Sequence, residues 1–132
     1  TETARNTLVI DCYNANPSSM QAAVGNFLAE PLGKRQHRVL ILGDMLELGE
    51  WSLHEHTAII RQAAQAPDAE LLLVGEEFAR AYASLPEKPA RTTLCPTREE
   101  LLSLLSLSPV ENALVLLKGS RGIGLEKAIP EL

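Results

Sequence analysis

Five short runs of this chain are hydrophobic almost without interruption, and they set the limits on what it can fold into. They are Thr7 to Ile10, Arg38 to Leu42, Leu71 to Val74, Thr92 to Leu94, and Ala113 to Leu117. A strand with one wet face alternates apolar and polar residues, whereas an unbroken apolar run reads as a strand covered on both faces. Between the runs the period changes to that of a helix. Met20, Val24, Phe27 and Leu28 fall on one face after Pro17. Ile59, Ile60, Ala63 and Ala64 do so in the second connection, and Phe78, Ala81, Tyr82 and Leu85 in the third. The fourth helix opens on Thr97-Arg98-Glu99-Glu100, a capping-box pattern, and continues with Leu101, Leu102, Leu104 and Leu105. A short last helix carries Leu125, Ala128 and Ile129. Strict β-α alternation predicts an α/β fold: an open, mostly parallel, Rossmann-like sheet of about five strands, with helices on both faces.

At 132 residues the chain is expected to form a single domain spanning 1–132. A formal net charge of −5, with no basic stripe, argues against nucleic acid. The apolar runs are too short to span a bilayer. Two cysteines, Cys12 and Cys95, offer neither a disulfide framework nor metal spacing, and they are expected as buried thiols in a reducing cytoplasm. No metal site is expected. His54-Glu55-His56 reads as surface helix, Trp51 as a packing residue, and Lys34 to Arg38 as a solvated connector. The polar start, Thr1 to Asn6, leads abruptly into the first strand, as in a chain cut from a longer one.

Ligands of such sheets bind beyond the carboxyl ends of the strands, where the winding reverses. Three strands end in unusual polar sequence: Asp11-Cys12-Tyr13-Asn14-Ala15-Asn16-Pro17 after the first, Gly43-Asp44-Met45-Leu46-Glu47-Leu48-Gly49 after the second, and Lys118-Gly119-Ser120-Arg121 after the fifth. Asn16 and Pro17 suit a helix start, as N-cap and first residue. That leaves Asp11, Tyr13 and Asn14 unexplained by structure alone. Gly43 and Gly49 suit turns. Lys118, Ser120 and Arg121, just before a helix expected near Gly122, read as a carboxylate or phosphate pocket. The chain has neither a G-x-x-x-x-G-K-[S/T] phosphate loop nor a G-x-G-x-x-G after the first strand, so nothing in it would hold a triphosphate unaided.

These motifs, in order and at matching spacing, resemble the C-terminal domain of the Mur ligases, in the branch that adds D-alanyl-D-alanine to a UDP-N-acetylmuramoyl-tripeptide. Asp11 to Met20, Leu42 to Gly49 and Lys118 to Arg121 carry the resemblance. His56 falls where the family has a histidine, and only Ile123-Gly124-Leu125 departs. The Tyr13-Asn14-Ala15-Asn16-Pro17 run favours this branch over sister ligases that add other amino acids. The resemblance implies one domain of three in a cytoplasmic, monomeric, ATP-dependent ligase of peptidoglycan synthesis. The domains for the UDP-sugar substrate and for ATP are expected to be absent here, and ATP and Mg2+ to be held mainly by the latter. It implies that the tripeptide carboxylate is phosphorylated there and that the dipeptide amine then displaces phosphate, while this domain delivers the dipeptide and closes over ATP. By the same resemblance Asp11, Asn14 and Asn16 face the nucleotide. Tyr13, Asp44, Met45, Lys118, Ser120 and Arg121 face the dipeptide, with no catalytic residue of this domain's own. The isolated domain is expected to be inactive.

Two rivals belong to other classes. A receiver-like signalling module needs a phosphorylatable aspartate after the third strand, where this chain has Gly75-Glu76-Glu77. A non-catalytic nucleotide-binding module lacks its glycine fingerprint here.

Overall fold

In a computed structural model describing residues 1–132, the elements alternate as the sequence requires. Strand β1 is Thr7–Asp11, helix α1 Pro17–Ala29, β2 His37–Gly43, α2 Ser52–Ala63 and β3 Glu70–Val74. Then come α3 Glu76–Ser84, β4 Thr92–Cys95, α4 Arg98–Leu107 and β5 Ala113–Lys118. Tight 3₁₀ turns cover Gly49–Trp51 and Arg121–Ile123, and the last helix, Leu125–Glu131, is also 3₁₀, with Pro130 inside it. The sheet order is β1-β5-β2-β3-β4, and every pairing is parallel. No helix is long and apolar enough to cross a membrane.

The near-continuous hydrophobicity of the central strands follows from their two covered faces. Along β2, Leu40 and Leu42 join Met20, Val24, Phe27, Ile60 and Phe78 in a core beneath α1, α2 and α3. Val39 and Ile41 point the other way, into a core with Leu101, Leu105, Leu125 and Ala128 from α4 and the last helix. Side chains of a strand alternate sides, so both registers must be apolar. β1 differs from expectation. It is an edge strand, with Leu8 buried but Val9 and Ile10 each 40% exposed.

Right-handed crossovers fix which face each helix takes. The chain steps from β1 through β2 and β3 to β4 with α1, α2 and α3 on one face. It returns over the other face with α4 and inserts β5 between β1 and β2. The reversal brings the carboxyl ends of β1, β5 and β2 side by side, with Asp11 opposite Lys118 and Lys118 opposite Leu42.

The connector Lys34 to Arg38, expected to be solvated, is anchored through Arg35, and the polar start is anchored with it. Arg35 donates to Thr7 Oγ1 (2.9 Å) and Arg5 O (3.1 Å) and pairs with Glu2 at 2.8 Å. Asn6 is fully buried: its Nδ2 donates to the carbonyls of Val110 and Leu132, and its Oδ1 accepts from Ala113 N. These bonds hold the amino end of β1 against the chain's last residue.

Candidate functional site

The site starts from one buried charge. Lys118, at the last position of β5, has a side chain only 1% exposed, and an ammonium out of water must find partners. It donates to Asp11 Oδ2 at 2.6 Å and to the Asn14 carbonyl at 2.9 Å. The carboxylate of Asp11 is 47% exposed, and its second oxygen has no protein partner. The lysine thus fixes the loop after β1 from below, while one oxygen of Asp11 stays free above. Tyr13 is 72% exposed, and the Arg121 guanidinium lies over its ring, 4.9 Å from the centroid. Ile10, Asp11, Cys12, Tyr13, Arg121 and Glu126 line a cleft of about 470 Å³. A second groove of about 370 Å³ runs along the other side of β1, between Val9, Leu116 and α1, and Asp11 borders both. A larger groove between α1 and α2, near Gln21 and Arg61, lies away from the strand ends. Burial pushes the Cys12 thiol up to about 11, with Glu126 and Asp11 adding to the effect, so it stays neutral in the cleft wall.

At the end of β2 the polar residues turn inward. Asp44 is 4% exposed; its Oδ2 accepts from Glu77 N and its Oδ1 from Phe78 N, both at 2.9 Å. A carboxylate here caps α3, whose own N-cap is Gly75 (φ 118°) and has no side chain to do so. A Cβ on Gly75 would collide with that carboxylate. Burial raises the Asp44 carboxyl, and the two helix amides oppose it. Met45 is 1% exposed, and its amide donates to His56 Nε2 at 3.0 Å. His56 Nδ1 lies 2.7 Å from the Ser52 carbonyl, and the ring meets Phe78 edge-on at 4.6 Å. Ser52 Oγ donates to Glu77 Oε1 at 2.5 Å, which with Arg80 holds the Glu77 carboxyl below its usual range. The set looks like a serine–histidine–carboxylate triad, but the hydroxyl is buried and its hydrogen is engaged, so it is no nucleophile.

The β2 and β5 ends are tied together. Leu46 N donates to Ser120 Oγ at 3.0 Å, and Ser120 N donates to Asp44 O at 3.1 Å. Glycines permit this approach, since a Cβ on Gly119 would come within 2.9 Å of Gly43 Cα. Ser120 Oγ accepts in that contact, so its hydrogen remains available to a ligand.

The structure therefore gathers Asp11, Tyr13, Asn14, Ser120 and Arg121 around the open mouth of β1 and β5. It sets Lys118 beneath them and draws the side chains of Asp44 and Met45 away into the fold. Asn16 caps α1: Oδ1 accepts from Ser19 N (2.9 Å), and Ser19 Oγ accepts from Asn16 N (3.1 Å). The helix expected near Gly122 is only the Arg121–Ile123 turn, too short to supply a helix dipole. His56 is fully buried instead of on a surface helix. The signal that marks it is its helical spacing to Ile59, Ile60 and Ala63, which the surface-helix reading passed over. Trp51, expected to pack, is 64% exposed. Glu126 had no sequence feature to mark it. No group of three or more His, Cys, Asp or Glu side chains gathers to hold a metal. What the mouth offers is positioning and charge, with no activated nucleophile.

Comparison with known proteins bears on what is positioned. The family model described as "Mur ligase, glutamate ligase domain" matches residues 1–121. The chain is 38% identical over 132 residues to the UDP-N-acetylmuramoyl-tripeptide–D-alanyl-D-alanine ligase of Escherichia coli (strain K12), covering 98% of this chain and 27% of that protein. It is 34% identical over 128 residues to the enzyme of that name from Treponema pallidum (strain Nichols), covering 96% and 27%. Among solved structures it matches MurF from Acinetobacter baumannii with a TM-score of 0.80 and 28% identity, covering 100% of this chain and 29% of that one. MurF ligase from Thermotoga maritima, solved in complex with ADP, shares the fold at a TM-score of 0.71 and 23% identity, covering 99% and 29%. The chain spans about a quarter of the length of these curated relatives.

Proposed function

The chain belongs to the Mur ligase family, and from that membership we propose that it is the C-terminal domain of a cytoplasmic, monomeric, ATP-dependent ligase that adds D-alanyl-D-alanine to a UDP-N-acetylmuramoyl-tripeptide in peptidoglycan synthesis. The names of its relatives support the dipeptide and tripeptide substrates. The observation that carries a positioning role is the mouth itself: an exposed guanidinium over Tyr13 and a partly exposed hydroxyl tied to Leu46 N, beside a half-exposed carboxylate held by a buried lysine.

Arg121 and the free hydrogen of Ser120 take the dipeptide carboxylate. A guanidinium can grip both oxygens, and the Tyr13 face keeps it from folding away. The free oxygen of Asp11 accepts a ribose hydroxyl when the domain closes, with Asn14 and Asn16 on the nucleotide side. Lys118, Asp44 and Met45 act from below, fixing the loops that carry these groups. The residues fit the ribose end of a nucleotide but offer nothing for a triphosphate, so the phosphates and Mg2+ are assigned to parts of the polypeptide outside this chain. ATP, when bound there, supplies the activation of the tripeptide carboxylate. This domain's contribution is to hold the attacking amine in line and exclude water.

The test compares D-alanyl-D-alanine with its C-terminal amide in the ligase polypeptide that carries this domain. The parent should use the amide poorly, and Arg121→Ala should narrow that preference. Equal use of both by the parent would remove the carboxylate from the account.

A further inference from the structure

We infer that His56, remote from the mouth and fully buried, is a positioning residue that sets where Ser120 and Arg121 stand. The inference rests on the proposed function for its kinetic consequence, and on geometry for the rest. Each ring nitrogen faces a group of a single polarity. Nδ1 is 2.7 Å from the Ser52 carbonyl, which can only accept, so Nδ1 carries the proton. Ser52 Oγ, 3.2 Å from the same nitrogen, has its own hydrogen on Glu77, so it too can only accept there. Nε2 is 3.0 Å from the Met45 amide, which can only donate, so Nε2 presents its lone pair. The neutral Nδ1–H tautomer is therefore imposed from both sides, and Phe78 holds the ring's tilt.

What this fixes is the backbone that leaves β2. The Met45 amide is buried and has His56 as its partner, and the next amide, Leu46 N, is the one that reaches Ser120 Oγ. One residue back, the Asp44 carbonyl receives Ser120 N. Three consecutive residues are thus committed, one to the histidine and two to the β5 turn. Without an acceptor at Nε2 the Met45 amide must turn elsewhere, and the peptide planes on either side turn with it. The displacement reaches Ser120 directly and Arg121 as the next residue, while the Lys118–Asp11 pair has its own anchors.

Two substitutions separate this from simple packing. His56→Phe keeps a ring against Phe78 but offers no acceptor; His56→Gln can present an amide oxygen to Met45 N–H. Nitrogen-15 spectra of the parent chain should show the proton on Nδ1. In His56→Phe the amide resonances of Met45, Leu46, Ser120 and Arg121 should move while those of β4 stay, and in His56→Gln they should largely return. In the ligase polypeptide, His56→Phe should raise the dipeptide KM roughly tenfold, the worth of one hydrogen bond. The ATP KM should hold, and His56→Gln should recover most of the loss. The inference is overturned by a proton on Nε2, by unmoved Ser120 and Arg121 resonances in His56→Phe, or by equal behaviour of the two variants. Should the resonances move as expected while the dipeptide KM does not, the coupling stands and it is the proposed role of the β5 turn that fails.

Discussion

The loops that leave β1 and β2 are alike in composition and opposite in use. Asp11-Cys12-Tyr13-Asn14 and Gly43-Asp44-Met45-Leu46 each place an aspartate one or two positions beyond an apolar run, followed by a large side chain. β1 is an edge strand, so Tyr13 and one oxygen of Asp11 face open space. β2 lies between β5 and β3, with the start of α3 close by, so both oxygens of Asp44 are taken by helix amides and Met45 is packed. The difference teaches that a carboxylate at a strand end stays open to solvent only where no neighbouring backbone donor claims it first.

The largest effect should come from Asp44→Ala, which orphans two helix amides in the interior. Urea unfolding should show a loss of about 2–4 kcal/mol, from the lost cap and its charge-assisted bonds. Tyr13→Ala should stay within about 0.5 kcal/mol of the parent, as exposed positions do. Similar losses at both sites would erase the contrast between the loops.

Asp11 should fall between these extremes, because its second role is to neutralise a buried ammonium. Asp11→Ala is expected to cost about 1–3 kcal/mol of stability, less than a fully buried pair because the carboxylate is half in water, in addition to weakening ATP use in the ligase. Replacing both partners, Asp11→Asn with Lys118→Met, should restore much of the stability but not the ATP kinetics. A double variant no more stable than Asp11→Ala would show that the ion pair is not what the single substitution breaks.

Smaller effects concern titration. Ser52 and then Arg80 lower the Glu77 carboxyl, so its stabilisation is complete above the ordinary value of 4.5 and is lost as pH falls through the folded value. Asp44 is raised by burial, so the folded state binds its proton more readily than the unfolded chain, and acid favours folding at this group. Glu77→Gln should therefore flatten the fall in stability between pH 5 and pH 3 in acid titrations monitored by unfolding. A steeper fall would reverse the assigned sign. Smallest of all, Cys12, pushed up to about 11, and the buried Cys95 should react with thiol reagents at pH 8 only in denaturant.

Much of this fold was legible because it rests on periodicity. The five apolar runs became the five strands, and Asn16-Pro17 opened α1 as its residue types require. Thr97 caps α4, although only the threonine side of the expected capping box forms. Strand order was not legible. A hydrophobic run does not say which strand is at the edge, so the exposure of Val9 and Ile10 escaped the reading. The strand ends that carry the candidate site could be located, but not the direction of each side chain. Whether Asp44 points out or in depends on where the first amides of α3 lie in space, 33 and 34 residues further along. The fate of Lys118 depends likewise on Asp11, 107 residues away. Long-range pairing of this kind leaves no local pattern, whereas the burial of His56 did leave one, in its spacing to Ile59 and Ile60.

The central claim is that the loops after β1 and β5 read the ligand while the loop after β2 holds them in place. Arg121→Ala and Asp44→Asn in the ligase polypeptide, each measured for dipeptide KM and unfolding midpoint, test it most directly. Arg121→Ala should raise the dipeptide KM roughly ten- to hundred-fold, the worth of a hydrogen bond to a charged group, and leave the midpoint nearly unmoved. Asp44→Asn should lower the midpoint clearly, with the smaller change in KM. An Arg121→Ala enzyme that unfolds early yet binds the dipeptide as the parent does would contradict the account.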